Sequence, residues 1–265
     1  MYTMHDVVCP TNETELSALA KKRSSTILGG LMWLKLGRGT IRQGIDLKEL
    51  HWDAITADEE KITIGAMASL RDLEQNYDLH RLTGGVVAQA MRDIVGPAFR
   101  NGASVGGSVA LRAGFSDIYT LFCALDASVL LLDQEPQKLS EFATAKRERC
   151  VVKGLSVPIR EQRVIYRCQR AEAGDLPLLN LCLVEHGHKL TLTCGARPSI
   201  AYQITLNDTD IEAWRSASSR EQRLEALASL ADQFTWADNL RASAEYRRQL
   251  FTVMLDDALN EYERR

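Results

Sequence analysis

Two glycine pairs, Gly29-Gly30 and Gly106-Gly107, restrict what this chain can fold into more than any other feature. Glycine permits positive φ angles and lets a second backbone come close, so paired glycines mark crowded or sharply turning places. The first pair ends a predicted strand, Ser25-Thr26-Ile27-Leu28, and leads into Leu31-Met32-Trp33. The second lies in Arg100-Asn101-Gly102-Ala103-Ser104-Val105-Gly106-Gly107-Ser108, whose stretch Asn101 to Gly107 reads as a glycine-rich loop.

Such segments suit a diphosphate. Its many acceptor oxygens are met by backbone N–H groups only where the chain can approach closely. Ser104 and Ser108 add hydroxyl donors beside the second pair. A helix starting near Ser116 adds partial positive charge if its N-terminus points inward. Neither pair has the G-x-G-x-x-G or G-x-x-x-x-G-K-[ST] spacing, so dinucleotide-fold and P-loop readings are excluded. Taken alone, either pair is better explained by an ordinary turn.

The other elements follow from periodicity. Thr14 to Lys22 has helical spacing, and Ile41 to Leu47 and Lys61 to Ala66 read as strands. Ser69 precedes an S-L-R-D-L-E sequence and caps a helix from Leu70, with Asp72 and Glu74 in its first turn. Leu82 to Val95 reads as one helix stopped by Gly96-Pro97, and Ser116 to Leu125 as another. Ala127 to Asp133 is a buried strand by length and content. Residues 133–153 turn polar and basic and read as a passage between two parts. Three strands follow, Arg163 to Gln169, Pro177 to Glu185 and Lys189 to Cys194, with His186-Gly187-His188 as a hairpin turn. Helices over Arg220 to Gln233 and Ala242 to Glu263 complete the chain.

Composition narrows the function class. At 265 residues the chain is long enough for two domains, and its net charge of -3 carries no long basic run, which argues against nucleic acid. No stretch approaches about 18 consecutive apolar residues, so no membrane span is expected. The N-terminus lacks the basic start and apolar core of a signal peptide, which predicts a cytoplasmic protein. Six cysteines occur without a C-x-x-C pair, and most sit in apolar company, as buried free thiols do. His186 and His188 share a turn with no third ligand, the pattern of loop residues rather than a metal site. No H-E-x-x-H motif is present.

Several motifs in order change the weight of the glycine pairs. Leu28-Gly29-Gly30-Leu31-Met32-Trp33, Ile45-Asp46-Leu47, Ile64-Gly65-Ala66, the Arg100–Ser108 segment, Ser116-Asp117 with Ala124-Leu125-Asp126-Ala127, and Arg241-Ala242-Ser243-Ala244-Glu245-Tyr246-Arg247 follow one another along the chain. In these, the chain resembles the FAD-binding subunits and domains of molybdenum hydroxylases, the group of xanthine dehydrogenase and the medium subunit of carbon monoxide dehydrogenase. The resemblance runs nearly the whole length. It implies that Leu28, Gly29, Gly30, Leu31 and Met32 on one side, and Arg100, Asn101, Ser104, Val105, Gly106, Gly107 and Ser108 on the other, clasp the FAD diphosphate. It further implies that Asp117, after Ser116, accepts hydrogen bonds from ribitol or ribose hydroxyls, where the plain alternative is a helix cap. Arg167 falls about where such proteins hold a basic residue facing the flavin, unless it is an exposed strand arginine or Tyr166 flanks the ring instead.

The first segment departs from the family pattern. Leu31-Met32 stands where A-G-G-[TS]-[DE]-L carries a hydroxyl and an acidic residue, which predicts weakened FAD binding. Arg112, in the altered run Leu111 to Asp117, either adds charge near the diphosphate or is a solvated surface residue.

The fold expected is α/β (α+β). Residues 1–150 form a two-subdomain FAD-binding domain of the vanillyl-alcohol-oxidase/PCMH type, divided near 55. Residues 151–265 form a small antiparallel sheet with helices, like the C-terminal domain of the carbon monoxide dehydrogenase flavoprotein. The function implied is that of an FAD-carrying electron-transfer subunit. Its partners are a molybdopterin-binding subunit and a [2Fe–2S] subunit, with NAD as a candidate acceptor. The alternatives are a weakly flavin-binding, non-enzymatic assembly subunit and a stand-alone flavin oxidoreductase.

Overall fold

The computed structural model describes residues 2–264. The chain opens with β1 (Tyr2–Met4), β2 (Val7–Val8), α1 (Glu13–Ala20), β3 (Ser25–Leu28), β4 (Gly39–Ile41) and β5 (Gln43–Asp46). β2, β5 and β3 make a parallel three-stranded sheet in that order, and β1 pairs in parallel with β4. α1 starts where the Asn12 side chain accepts from the Glu15 N–H at 2.9 Å, satisfying one of the helix's orphan donors. Leu16 from that helix packs with Ile45 and Leu47 in a small core of its own. The single strand expected over Ile41 to Leu47 is two strands, because the chain changes sheets at Arg42.

Next come β6 (Ile55–Ala57), β7 (Lys61–Gly65), α2 (Leu70–Gln75), α3 (Tyr77–Thr83), α4 (Val86–Arg92), α5 (Pro97–Gly102), α6 (Val105–Leu111) and α7 (Asp117–Ala124). β8 (Ser128–Leu131), β9 (Gln137–Lys138), α8 (Leu139–Thr144) and β10 (Val152–Pro158) close this part. The five strands form one antiparallel sheet in the order β6-β7-β10-β8-β9. Ser69 caps α2 in a full capping box with Asp72. The helix expected over Leu82 to Val95 is broken in two, since Gly84 and Gly85 both take positive φ and end α3. The expected loop Asn101 to Gly107 is also mostly helical. α5 runs through Gly102 and α6 begins at Val105, leaving Ala103 and Ser104 between them. The polar stretch 133–153 holds β9 and α8, and β10 is the central strand of the sheet, so this sheet closes at Pro158 rather than at residue 150.

The remainder is β11 (Arg163–Gln169), β12 (Leu179–His186), β13 (Lys189–Gly195), β14 (Tyr202–Leu206), α9 (Asp208–Ser216), α10 (Arg220–Ala231) and α11 (Ala244–Arg264). β11 to β14 form an antiparallel meander. β14 and α9 are not among the expected elements, although Tyr202, Ile204 and Leu206 alternate as in a half-buried strand and Asn207 caps α9. Alternate residues of the meander serve different cores. Val164, Tyr166, Cys182 and Val184 join the core beneath α7, whereas Ile165, Leu181, Leu183 and Leu192 pack against α9, α10 and α11. A sheet buried on both faces must be apolar at nearly every position, which is why Leu179 to Val184 reads as a continuous run. The two parts therefore share the core beneath α7, and Thr120 of α7 donates to Asn180 of β12 across it at 2.7 Å.

Candidate functional site

The end of β3 and the start of α6 meet at Ser104. Its Oγ accepts from the Gly30 N–H at 3.1 Å and from the Gly107 N–H at 3.2 Å, tying the two glycine segments together. No acceptor among the described residues takes the hydroxyl's own proton. Contact between the segments is at backbone level. A Cβ on Gly30 would stand 1.6 Å from the Gly102 carbonyl oxygen, and one on Gly106 would stand 2.7 Å from the Ala66 Cβ. Glycine is required at both places by the close approach itself.

In front of this clasp lies a cleft of about 430 Å³, within the range of ligand pockets. Gly29, Gly30, Leu31, Met32, Ser104, Gly107 and Ser108 line it, as expected from the sequence. Tyr2, Trp33, Ala110 and Leu111 line it as well. No Lys or Arg does, so an anion there must be held by N–H and hydroxyl donors. The N–H groups of Leu31 and Met32 have no partner among the described residues and supply two such donors. Leu31 holds φ +62, a left-handed conformation rare for a side-chain-bearing residue, and 43% of it is exposed.

Several expected contributors are placed elsewhere. Leu28 is buried at the end of β3. Val105 and Gly106 donate their N–H groups to Ala68 and Ala66, so they anchor α6 to the strand end behind the cleft. Arg100 is 3% exposed, and its guanidinium is held by Glu74 at 2.8 Å and by the carbonyls of Arg92 and Ile94. That arginine fastens α5 to α2, and Asn101 beside it is exposed and does not line this cleft. Arg112 stacks on Phe142 at 3.7 Å and donates to the Ala145 carbonyl, and it does not line the cleft.

Asp117 and Ser116 line a second, smaller recess. The Asp117 carboxylate is occupied: Tyr166 donates its hydroxyl, Asn180 donates at 3.2 Å and Arg170 at 2.9 Å. Burial, and then the adjacent carboxylate, push the Tyr166 hydroxyl well above its ordinary pKa, so it stays a proton donor. Tyr166 is thus a core residue rather than a ring-flanking one. Arg167 points to the opposite face of β11 and pairs with Glu261 of α11. Arg170, three residues on, is the basic side chain that reaches the recess. No sequence signal distinguished Arg170 from Arg167, because alternation along a strand names the face only once the partners on each side are known.

The cysteines form no disulfide. Cys123, Cys182 and Cys194 are buried, and burial pushes the Cys123 and Cys194 thiols up to about 12. They behave as small apolar residues. His186 contacts the Glu161 carbonyl through Nδ1 at 3.0 Å. Among the described residues no three His, Cys, Asp or Glu side chains converge as metal ligands, and no helix is long and apolar enough to cross a membrane.

The model of the FAD binding domain in molybdopterin dehydrogenase matches residues 3–159, more than half of the chain and all of the clasp. The chain belongs to this family. FAD is accordingly its cofactor, and it is an FAD-binding component of a molybdenum-hydroxylase-type oxidoreductase. The uncharacterized protein YgfM of Escherichia coli (strain K12) is 23% identical over 216 residues, covering 80% of this chain and 77% of that one. In fold, the chain is similar to a chain of quinoline 2-oxidoreductase from Pseudomonas putida 86, with a TM-score of 0.81 at 15% identity over 98% of this chain and 96% of the other. It is also similar to one of carbon monoxide dehydrogenase from Hydrogenophaga pseudoflava, with a TM-score of 0.79 at 20% identity over 97% and 96%. At these identities the likeness establishes the shared mixed α/β fold, including the antiparallel sheet and helices after residue 159.

Proposed function

We propose that this family member is the flavin-carrying electron-transfer subunit of a multi-subunit dehydrogenase. Electrons arrive from [2Fe–2S] clusters on one partner, having left substrate on a molybdopterin-bearing partner, and depart to an acceptor such as NAD. Work in the cytoplasm fits this role. The observation that carries the reading is the backbone contact of Gly30 with Gly102 and Ser104, which places free donors around one cleft. The N–H groups of Leu31 and Met32 and the Ser104 hydroxyl would hold the diphosphate, whereas the Ser108 hydroxyl, which donates to the Ser104 carbonyl at 3.0 Å, would have to turn to join them. Trp33 and Leu111 would wall its approach to the ring. When bound, FAD supplies the electron-accepting chemistry, and the protein supplies position and electrostatics. Support for a molybdopterin-bearing partner comes from the family, whose domain belongs to molybdopterin dehydrogenase, and from a neighbour in fold that is a Cu,Mo carbon monoxide dehydrogenase.

The test is reconstitution of the purified chain with FAD followed by gel filtration. The protein should elute yellow, with absorption near about 450 nm, an intrinsic property of the cofactor. A folded, colourless protein sinks the reading. One observation favours a second: Leu31 is apolar, exposed and left-handed where the family carries a hydroxyl, as in an assembly subunit with a weakened flavin site.

A further inference from the structure

The cleft has two ends. Trp33 and Leu111 belong both to it and to the smaller recess beside α7, so they mark one end. Tyr2, Ile27 and Gly37 line the cleft but not the recess, and they mark the other. Parallel pairing of β1 with β4 sets Tyr2 beside Gly39. The tyrosine ring rests against bare glycine backbone. A Cβ on Gly37 would stand 2.6 Å from its Cε2 and 2.7 Å from its Oη, and one on Gly39 would stand 3.4 Å from its Cε1. Tyr2 is only half-buried, so part of the ring stays open to the cleft it lines. Its hydroxyl has no partner among the described residues. No charged side chain lines the cleft at either end. A backed aromatic ring with the aliphatic Ile27 beside it suits a flat ring rather than an ion. Position 2 also precedes the span 3–159 matched by the family model, so the family pattern assigns it nothing.

We propose that Tyr2 is the platform on which the adenine of the bound cofactor stacks. This rests on the FAD reading above, which puts the diphosphate at the clasp and the flavin ring toward Trp33. FAD carries two planar groups joined through its diphosphate, so a cofactor held at its centre sends one of them to each end of the cleft. With the flavin toward Trp33, the adenine falls to Tyr2. Every base has a π-face, and stacking on an aromatic side chain needs neither charge nor a matched set of donors. That is the recognition a cleft without charged side chains can give. Tyr2 is then a binding residue for the adenosine half of the cofactor, remote from the electron-accepting ring.

The experiment uses the full chain, and compares Tyr2→Leu, which keeps an apolar side chain but loses the flat ring, with Tyr2→Phe, which loses only the hydroxyl. FAD affinity is read by flavin fluorescence titration, and ADP and UDP are tested as competitors that displace it. Tyr2→Leu should weaken FAD and ADP alike by about tenfold, the scale of one stacked base. Tyr2→Phe should keep both affinities within about twofold of wild type, since the ring face remains. On wild type, ADP should displace FAD better than UDP does, because the purine presents the larger face, and Tyr2→Leu should narrow that gap. Mere loosening of β1 would weaken both nucleotides by the same factor.

Wild type that binds FAD while Tyr2→Leu leaves its affinity unchanged overturns the inference alone. So does a Tyr2→Leu protein that loses FAD but keeps ADP, because the flavin ring would then be the group at Tyr2. A Tyr2→Phe loss as large as that of Tyr2→Leu overturns it as well, since the hydroxyl and not the ring would be the contact. Wild type that binds no FAD overturns this inference together with the functional reading. Should Tyr2→Leu fail to fold, the wild-type competition decides: stronger displacement by ADP than by UDP supports the inference, and equal or absent displacement overturns it.

Discussion

Gly30 lies against the carbonyl of Gly102 so closely that a Cβ at position 30 would come within 1.6 Å of that oxygen. This is a contact between two backbones 72 residues apart by number, and it defines the rear wall of the cleft. Gly30→Ala must therefore move one segment away from the other. Overpacking of this kind costs about 1–3 kcal/mol, and it displaces the donors that face the cofactor. The variant should melt lower and bind FAD at least about tenfold more weakly, a loss of about 1.4 kcal/mol. Gly84→Ala is the control, since position 84 has φ +60 but open space around it. It should cost about 1–2 kcal/mol of stability and leave the FAD affinity of the folded protein unchanged.

Leu31 occupies left-handed backbone at φ +62. A β-branched residue is less tolerated there than leucine, and glycine is tolerated best. Leu31→Gly should raise thermal stability, by up to about 1 kcal/mol, while Leu31→Thr should lower it. Restoring the family's hydroxyl at this position alone is expected to bring no gain in FAD affinity. A tighter complex for Leu31→Thr in a titration would show that the segment rearranges on binding.

Arg100 and Arg71 both reach Glu74 at 2.8 Å. Partial burial works to raise the Glu74 carboxyl, but the hydrogen bonds from Arg71 and Arg100 outweigh it and hold the group below its ordinary value of 4.5. A carboxyl whose folded pKa is depressed stabilises the fold above its unfolded pKa, and that contribution is lost as pH falls through the folded value. Urea unfolding at pH 7 and pH 3 should therefore show a larger acid loss for wild type than for Glu74→Gln. Arg100→Ala should destabilise by about 3–5 kcal/mol at neutral pH. Because its guanidinium faces α2, the fraction that folds should bind FAD normally.

Arg247, in the Arg241–Arg247 motif, is fully buried. Its guanidinium donates to the carbonyls of Leu178, Ala237 and Ala242 and to the Asn239 side chain, at 2.6–2.9 Å. One ammonium cannot reach four acceptors spread across a planar fork. Arg247→Lys should cost at least about 2 kcal/mol in urea unfolding, from carbonyls left unpaired. This motif thus pins the start of α11 to the residue leading into β12, and none of its residues line the cleft.

The elements most legible in the sequence were those with strong local signals. Ser69 with Asp72, the strand Ser25–Leu28, and the hairpin at Gly187 all rest on residues within a few positions of one another. The apolar run Leu179–Val184 announced a strand but not that both of its faces are buried. Of the cleft, the sequence showed both glycine pairs, Ser104 and Ser108. It did not show Trp33, nor Arg170 in the smaller recess beside the cleft, because neither lies in a segment whose spacing distinguishes it from surface or core.

By itself, then, the sequence determined where the backbone must come close and turn, since only glycine lacks the Cβ that would forbid it. It also determined where most helices and strands start. Tertiary structure alone decided which polar groups remain available. Gly106 and Val105 head a helix rather than a loop because carbonyls from Ala66 and Ala68, some forty positions earlier, take their N–H groups. Arg100, Asp117 and Arg167 look like ligand-facing residues in the chain, yet each is claimed by a distant partner: Glu74, Tyr166 with Arg170, and Glu261. Burial forces polar groups to pair, and that pairing is set by which elements pack together, a property no local pattern carries.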